Sequence, residues 1–339
     1  MKQNPTPTID QEHVQAFRNF VLLVIVVVAP FLISLISIEE TRPLVDIETE
    51  EGRPSSPYGY TWSLAIFLVP CLLIGRLVHL YDKDGLDKRA FWWTSGILIP
   101  VWCLLDIFLG LTFFRFPNTH AYSFNVPGWH PEHGWVFGIP IEEFGFYIFG
   151  FLTMLLVYCW TNVCWLSAYR RSPELKLKAG ERPRLFWPAL YIGACLYVIA
   201  YLYKKFGPVE NPEGFPGYFL FLLFATIIPS LLFLTTVLNN INWPALSFTF
   251  LYIFGVSVFW ESALGVPYQW WGFNKEQMIG VFFKGLNDLP IEELILWVFA
   301  SFTTIVIYET IRLIVSHKTQ DRANVARTIV LRSRLRSDN

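Results

Sequence analysis

The stretch Pro140-Ile-Glu-Glu-Phe-Gly-Phe-Tyr-Ile-Phe-Gly-Phe-Leu-Thr-Met-Leu-Leu-Val-Tyr-Cys-Trp160 places two adjacent acids, Glu142 and Glu143, at the head of an otherwise uncharged run. Its length matches the roughly 20 apolar residues that a helix needs to cross a bilayer. The acidic pair has an ordinary role as a helix start. Proline favours the first helical position, and acids in a first turn complement the helix dipole. It also has an unusual one, because carboxylates inside a membrane span are costly and usually face the bundle interior. The same box recurs at Pro290-Ile-Glu-Glu293, again ahead of a long apolar run.

Composition agrees with a membrane reading. Of 339 residues, 54% are hydrophobic and only 16% charged, against about 25% charged in a soluble domain. Eight apolar blocks are long enough to cross: 19–38, 60–81, 91–114, 136–160, 187–203, 217–238, 243–263 and 288–315. No small-residue cleavage pattern follows the first, so it reads as an anchor helix and not a signal peptide. Cys71, Cys103, Cys159, Cys164 and Cys195 all lie in or beside these blocks and read as small buried hydrophobes. The net charge of −1 says nothing about a partner; the distribution of charge does. Connections on the N-terminal side carry 17 Lys and Arg against 7 on the other. The positive-inside rule therefore predicts both termini in the cytoplasm. The basic tail after Ser316, interleaved with Val, Ile and Leu, suits a solvated end or a short helix on anionic lipid.

Three matches kept in order suggest an internal duplication. Leu68-Val-Pro-Cys-Leu-Leu-Ile74 resembles Ile227-Ile-Pro-Ser-Leu-Leu-Phe233. Asp106-Ile-Phe-Leu-Gly110 resembles Glu261-Ser-Ala-Leu-Gly265. Gly138-Ile-Pro-Ile-Glu-Glu143 resembles Asp288-Leu-Pro-Ile-Glu-Glu293. Each unit has one helix with a central proline, one with an intramembrane acid and one opening with the box. The block at 187–203 lies between the units, so they should be parallel, with ligand sites expected at their interface. The expected fold is an all-α integral membrane protein of about eight transmembrane helices. It comprises an N-terminal anchor and acidic loop (1–59), a first repeat (60–160), a basic loop and linker helix (161–216), a second repeat (217–315) and a basic tail (316–339).

Following the helices through the bilayer puts Asp106, Glu142, Glu143, Glu261, Glu292 and Glu293 at one depth. Neighbours on a helix differ by about 100° in direction, so one Glu of each box should face a cavity and the other a neighbouring element. Burial away from water disfavours an ionised carboxyl, and a second carboxylate nearby disfavours it further. An acid kept neutral in this way can act as a general acid. Protonating a carbon–carbon double bond requires such an acid in a dry site. Aromatic faces can stabilise the resulting carbocation, and Trp129, Trp135, Trp260, Tyr268, Trp270 and Trp271 lie nearby in sequence. Each of these aromatics also suits an interfacial belt.

Together these features resemble the heterodimeric or fused lycopene β-cyclase domain family of the membrane type. The resemblance covers roughly 60–160 and 217–313 and rests on the doubled box, with Glu142-Glu143-Phe144-Gly-Phe146-Tyr147 in the first copy. It departs in having Glu261 where an Asp is expected and Leu294-Ile-Leu-Trp297 after the second box. The resemblance implies a cofactor-free isomerase. It would protonate a terminal double bond of a linear polyene, close a six-membered ring and lose a proton, with Glu142, Glu143, Glu292 and Glu293 as acid–base candidates and Asp106 and Glu261 in support. The implied partners are a hydrophobic isoprenoid substrate, the bilayer and, beyond these, other carotenoid-pathway enzymes; no nucleic acid is implied. A related terpene cyclase acting on another isoprenoid would carry the same acids.

Other classes fit less well. A dinucleotide fingerprint is lacking. Asn287-Asp288 with Glu292 is a poor diphosphate–magnesium site, and His130-Pro-Glu-His133 suits a surface turn better than a di-iron centre. An ion-coupled transporter, where intramembrane carboxylates relay protons, is the main alternative outside the enzymes.

Overall fold

The computed structural model describes residues 14, 17–22, 24–25, 56–81, 86–170, 185–209 and 211–337. Among these, seven helices are long and apolar enough to span a membrane: α1 (Gly59–Leu80), α2 (Lys88–Phe113), α3 (Ile141–Trp165), α4 (Pro188–Phe206), α5 (Gly217–Val237), α6 (Trp243–Gly265) and α7 (Ile291–Ser316). The chain is thus a multi-pass membrane protein. The seven correspond to the second to eighth expected blocks. The first block, 19–38, lies largely outside the described residues.

Local chemistry sets the helix ends. Asp87 caps α2 by accepting from the Ala90 N–H (3.0 Å), and Asn242 caps α6 by accepting from the Ala245 N–H (3.3 Å). α3 begins five residues later than the hydropathy block. Gly134–Pro140 is instead a strand, and Pro140, extended at φ −61° and ψ 140°, is the residue from which the helix springs. The second box repeats this, with Leu289–Pro290 as a strand and Ile291 as the first helical residue. The backbone of α7 continues as one helix to Ser337, so the basic tail extends a span and is not a separate short helix.

Burial ranks the helices. In their apolar windows α7 is 67% buried, α6 56% and α3 50%, whereas α1 and α4 are each 22% buried. α3, α6 and α7 therefore form the centre, around Leu246, Phe250, Ile253, Ile305 and Val306, and α1 and α4 lie outside. Three helices contain π turns, at Thr161–Trp165, Leu223–Ile227 and Glu261–Gly265. In the last, the Val266 N–H reaches the Glu261 carbonyl (3.0 Å); such turns often occur at functional positions.

The loops gather at the end of the bundle where α2 finishes and α3 starts. β1 (Phe114–Arg115) pairs with β4 (Gly272–Phe273), tying the exit of α2 to the exit of α6. β2 (Asn125–His130) and β3 (Gly134–Pro140) form a hairpin. β5 (Phe282–Phe283) pairs with β6 (Leu289–Pro290). The start of α1 joins the same end, as the Tyr60 N–H donates to the Ala121 carbonyl (2.9 Å).

Candidate active site

The second Glu of each box lines an internal cavity, and the first does not. The cavity has a volume of about 80 Å³, well below the about 300–1,000 Å³ typical of small-molecule sites. Its acidic lining consists of Asp106 from α2, Glu143 from α3, Glu261 from α6 and Glu293 from α7. All four are at least 92% buried. Among the described lining residues there is no Lys, Arg or His; the rest of the wall is aromatic and aliphatic.

The hydrogen bonds explain how the acids are held. The Tyr60 hydroxyl donates to Glu143 Oε1 (2.6 Å) and the Tyr218 hydroxyl to Glu293 Oε1 (2.8 Å). The Tyr147 hydroxyl donates to Asp106 Oδ1 (3.3 Å), and Trp297 Nε1 donates to Glu261 Oε1 (2.7 Å). Tyr147 and Trp297 each stand four residues after the second Glu of a box. They therefore share its helix face and bridge it to the acid of the neighbouring helix. Asp106 Oδ2 and Glu261 Oε2 are buried and have no hydrogen-bond partner. The carboxyls are close enough to act on one another electrostatically: Asp106 and Glu293 on Glu143, and Glu293 on Glu261.

Glu142 and Glu292 point the other way, into the loops. Glu142 Oε1 accepts from the Ser123 N–H (2.8 Å), the Ser123 hydroxyl (2.8 Å) and the Thr61 hydroxyl. Glu292 Oε1 accepts from the buried Ile279 N–H (2.5 Å). Lys204, fully buried at the end of α4, donates to the Lys275 and Met278 carbonyls just before that amide. The six sequence-selected acids thus divide into four at the cavity and two that clamp loops. The 100° step along a helix requires such a division but does not say which member goes where.

Of the aromatics singled out in the sequence, Trp260 and Trp271 line the cavity, with centroids 4.6 Å apart. Trp260 also stacks on Phe146 (5.1 Å). Trp270 packs behind them, stacked on Tyr60 (6.1 Å) and Tyr268 (5.8 Å). Trp129 and Trp135 lie on the hairpin instead. On the opposite wall Trp102 meets Tyr147 and Phe221. Tyr60, Tyr218, Tyr147 and Trp297 were not selected in the sequence. One signal was available: Tyr60 and Tyr218 occupy nearly the same place relative to the central prolines Pro70 and Pro229.

A second buried polar cluster lies at the far end of α3 and α7. Arg312 pairs with Glu309 (3.1 Å), Glu309 accepts from the Tyr158 hydroxyl (2.9 Å), and Asn242 Nδ2 donates to Asn162 Oδ1 (2.9 Å). These bonds join α3, α6 and α7. Among the described residues no group of three or more His, Cys, Asp or Glu is arranged to hold a metal ion.

No family model, curated protein or solved structure matches this chain.

Proposed function

We propose that this protein is a membrane isoprenoid cyclase that starts ring closure by proton transfer from a buried carboxylic acid. The observation that carries the reading is the set of four carboxyls, one from each of four helices, converging on an apolar, aromatic-walled cavity without a basic residue in its lining. Unpaired buried charges cost on the order of several kcal/mol each, so the cluster balances its charge best with protons. A neutral carboxylic acid facing an apolar cavity suits an alkene substrate, which offers no hydrogen bonds and becomes cationic only on protonation.

In the proposed reaction a carboxylic O–H adds its proton to a terminal carbon–carbon double bond. The double-bond electrons form the new C–H bond, and a tertiary cation results. A second double bond of the chain attacks that cation and closes a six-membered ring. A carboxylate then removes a ring proton, restoring a double bond. Atoms and charge balance without a cofactor, and the product is an isomer of the substrate. Glu143 and Glu293 are the proton-transfer residues. Asp106 and Glu261, each with one oxygen free, stabilise the cation and return protons. Glu142 and Glu292 position the loops. Trp260, Phe146, Trp271 and Trp297 face the cation.

The proposal includes two parallel three-helix repeats, α1–α3 and α5–α7, joined by α4 and preceded by an anchor helix, with both termini cytoplasmic. Matched hydrogen bonds support the duplication. Tyr60 to Glu143 corresponds to Tyr218 to Glu293, Ser123 N–H to Glu142 to Ile279 N–H to Glu292, and Tyr147 to Asp106 to Trp297 to Glu261. Thr153 donates to the Phe67 carbonyl as Thr303 does to that of Thr226. Asp87 and Asn242 cap the middle helices alike. The two units thus agree in chemistry at places where their residues differ.

The test is expression in a bacterial host that accumulates lycopene, followed by chromatography of the pigments. A mono- or bicyclic product establishes reaction and substrate class. Unchanged lycopene in cells whose membranes contain the chain rules out that substrate. Product formed in detergent, without a proton gradient, excludes the transporter reading.

A further inference from the structure

The β2–β3 hairpin has an outward face with no charge on it. Its register pairs Trp129 with Trp135 and Pro127 with Phe137, so these four residues share one face. Phe137 is 74% exposed, Trp135 56% and Trp129 42%; Phe124, just before β2, is 58% exposed. The opposite face carries Gly128 and Gly138. A Cβ on Gly128 would overlap Ile139 of β3 and press on Leu111 of α2, and one on Gly138 would press on Leu111, so the glycine face lies flat against the last turns of that helix. A hairpin with one face packed and the other in water normally alternates apolar-in and polar-out. Here both faces are largely apolar; His130, Glu132 and His133 lie at the tip and Asn125 at the base.

What covers the outer face is indicated by its neighbour. Trp135 meets Phe108 of α2 edge-on at 5.7 Å. Phe108 belongs with Val101 and Leu104 to the exposed apolar side of a membrane-crossing helix. The outer face therefore continues a surface that must face lipid. A two-stranded hairpin has unpaired backbone groups along both edges, which the hydrocarbon core does not tolerate. The interfacial layer does tolerate them, and there Trp is the favoured side chain. We infer that this hairpin is a membrane-interface anchor whose partner is the acyl–headgroup boundary of the bilayer beside α2. It ends at Pro140, and the Ile141 N–H bonds back to the Phe124 carbonyl (3.0 Å). Seating in lipid therefore fixes the depth at which the first box begins. The second box has only the two-residue β5–β6 pairing, so the anchor serves one half of the molecule.

The test uses the full-length chain in phosphatidylcholine vesicles containing lipid radiolabelled in its acyl chains. A benzophenone amino acid replaces Phe137 in one variant, Trp135 in a second and Glu132 at the tip in a third. Irradiation is expected to attach lipid at 135 and 137 several-fold more than at 132. Adducts between two copies of the chain, or no lipid adduct at 135 and 137, overturn the inference. A second measurement avoids the bulky label. The fluorescence difference between wild type and W129F/W135F should be quenched more by lipids brominated near the headgroup than by aqueous acrylamide. The reverse order also overturns it. Both readouts are independent of catalysis, so they stand or fall separately from the proposed reaction.

Discussion

Replacing each box glutamate singly with glutamine separates chemistry from scaffolding. Glu143 and Glu293 face the cavity, each accepting one tyrosine hydroxyl. Glutamine keeps an oxygen for that bond and nearly the same volume but has no acidic proton. General acid–base catalysis contributes about 10²- to 10⁴-fold, equivalent to about 3–5 kcal/mol of barrier. E143Q and E293Q should therefore each lose at least about a hundredfold. At Glu142 and Glu292 the hydrogen bonds from Ser123, Thr61 and Ile279 are all accepted by one oxygen, Oε1, which a glutamine carbonyl can replace. The amide nitrogen would then occupy the place of Oε2, which is buried without a partner. That costs stability, about 1–3 kcal/mol, but not proton transfer. The assay is product formed per folded protein in detergent, with folding followed by thermal unfolding. E142Q and E292Q should remain within a few-fold of wild type after this normalisation. Equal losses at all four positions, or activity retained in E143Q and E293Q, would refute the division of roles.

Three further perturbations probe the arrangement. W297F removes the 2.7 Å bond to Glu261 and Y147F the 3.3 Å bond to Asp106; losing one such bond costs about 1 kcal/mol, so turnover should fall severalfold, more in W297F, with the fold intact by circular dichroism. In G265A the new Cβ would overlap the Trp271 ring, so product yield should drop although no acid is touched; normal yield would mean that Trp271 does not shape the reaction. E309L or R312L breaks the buried pair and should destabilise by about 3–5 kcal/mol, whereas the double E309L/R312L should recover much of this in thermal unfolding; activity per folded protein should stay unchanged, because the pair lies outside the cavity.

Spans, boxes and a set of six acids, four of which line the cavity, were legible in the sequence because hydropathy and motif spacing are local properties. A bilayer also imposes one rule on every helix that crosses it, so the boundaries of α2, α5 and α6 follow from apolar runs and caps. The hairpin was not legible, because Gly134–Pro140 is as apolar as a helix start, and its strand pairing depends on partners outside the segment. Nor could the sequence rank Glu142 against Glu143. Both sit in one helical turn, and what separates them is a neighbour: Tyr60 on one side, Ser123 and Thr61 on the other. Glu309, near the end of the α7 span, acquires its place only from Arg312 and Tyr158, which close around it. The sequence by itself determined which acids stand in the boxes and on which helices, since that is fixed by covalent order and helix length. Only the tertiary structure decided which of them share a cavity, because the direction of a side chain acquires meaning only when another helix supplies the wall it faces.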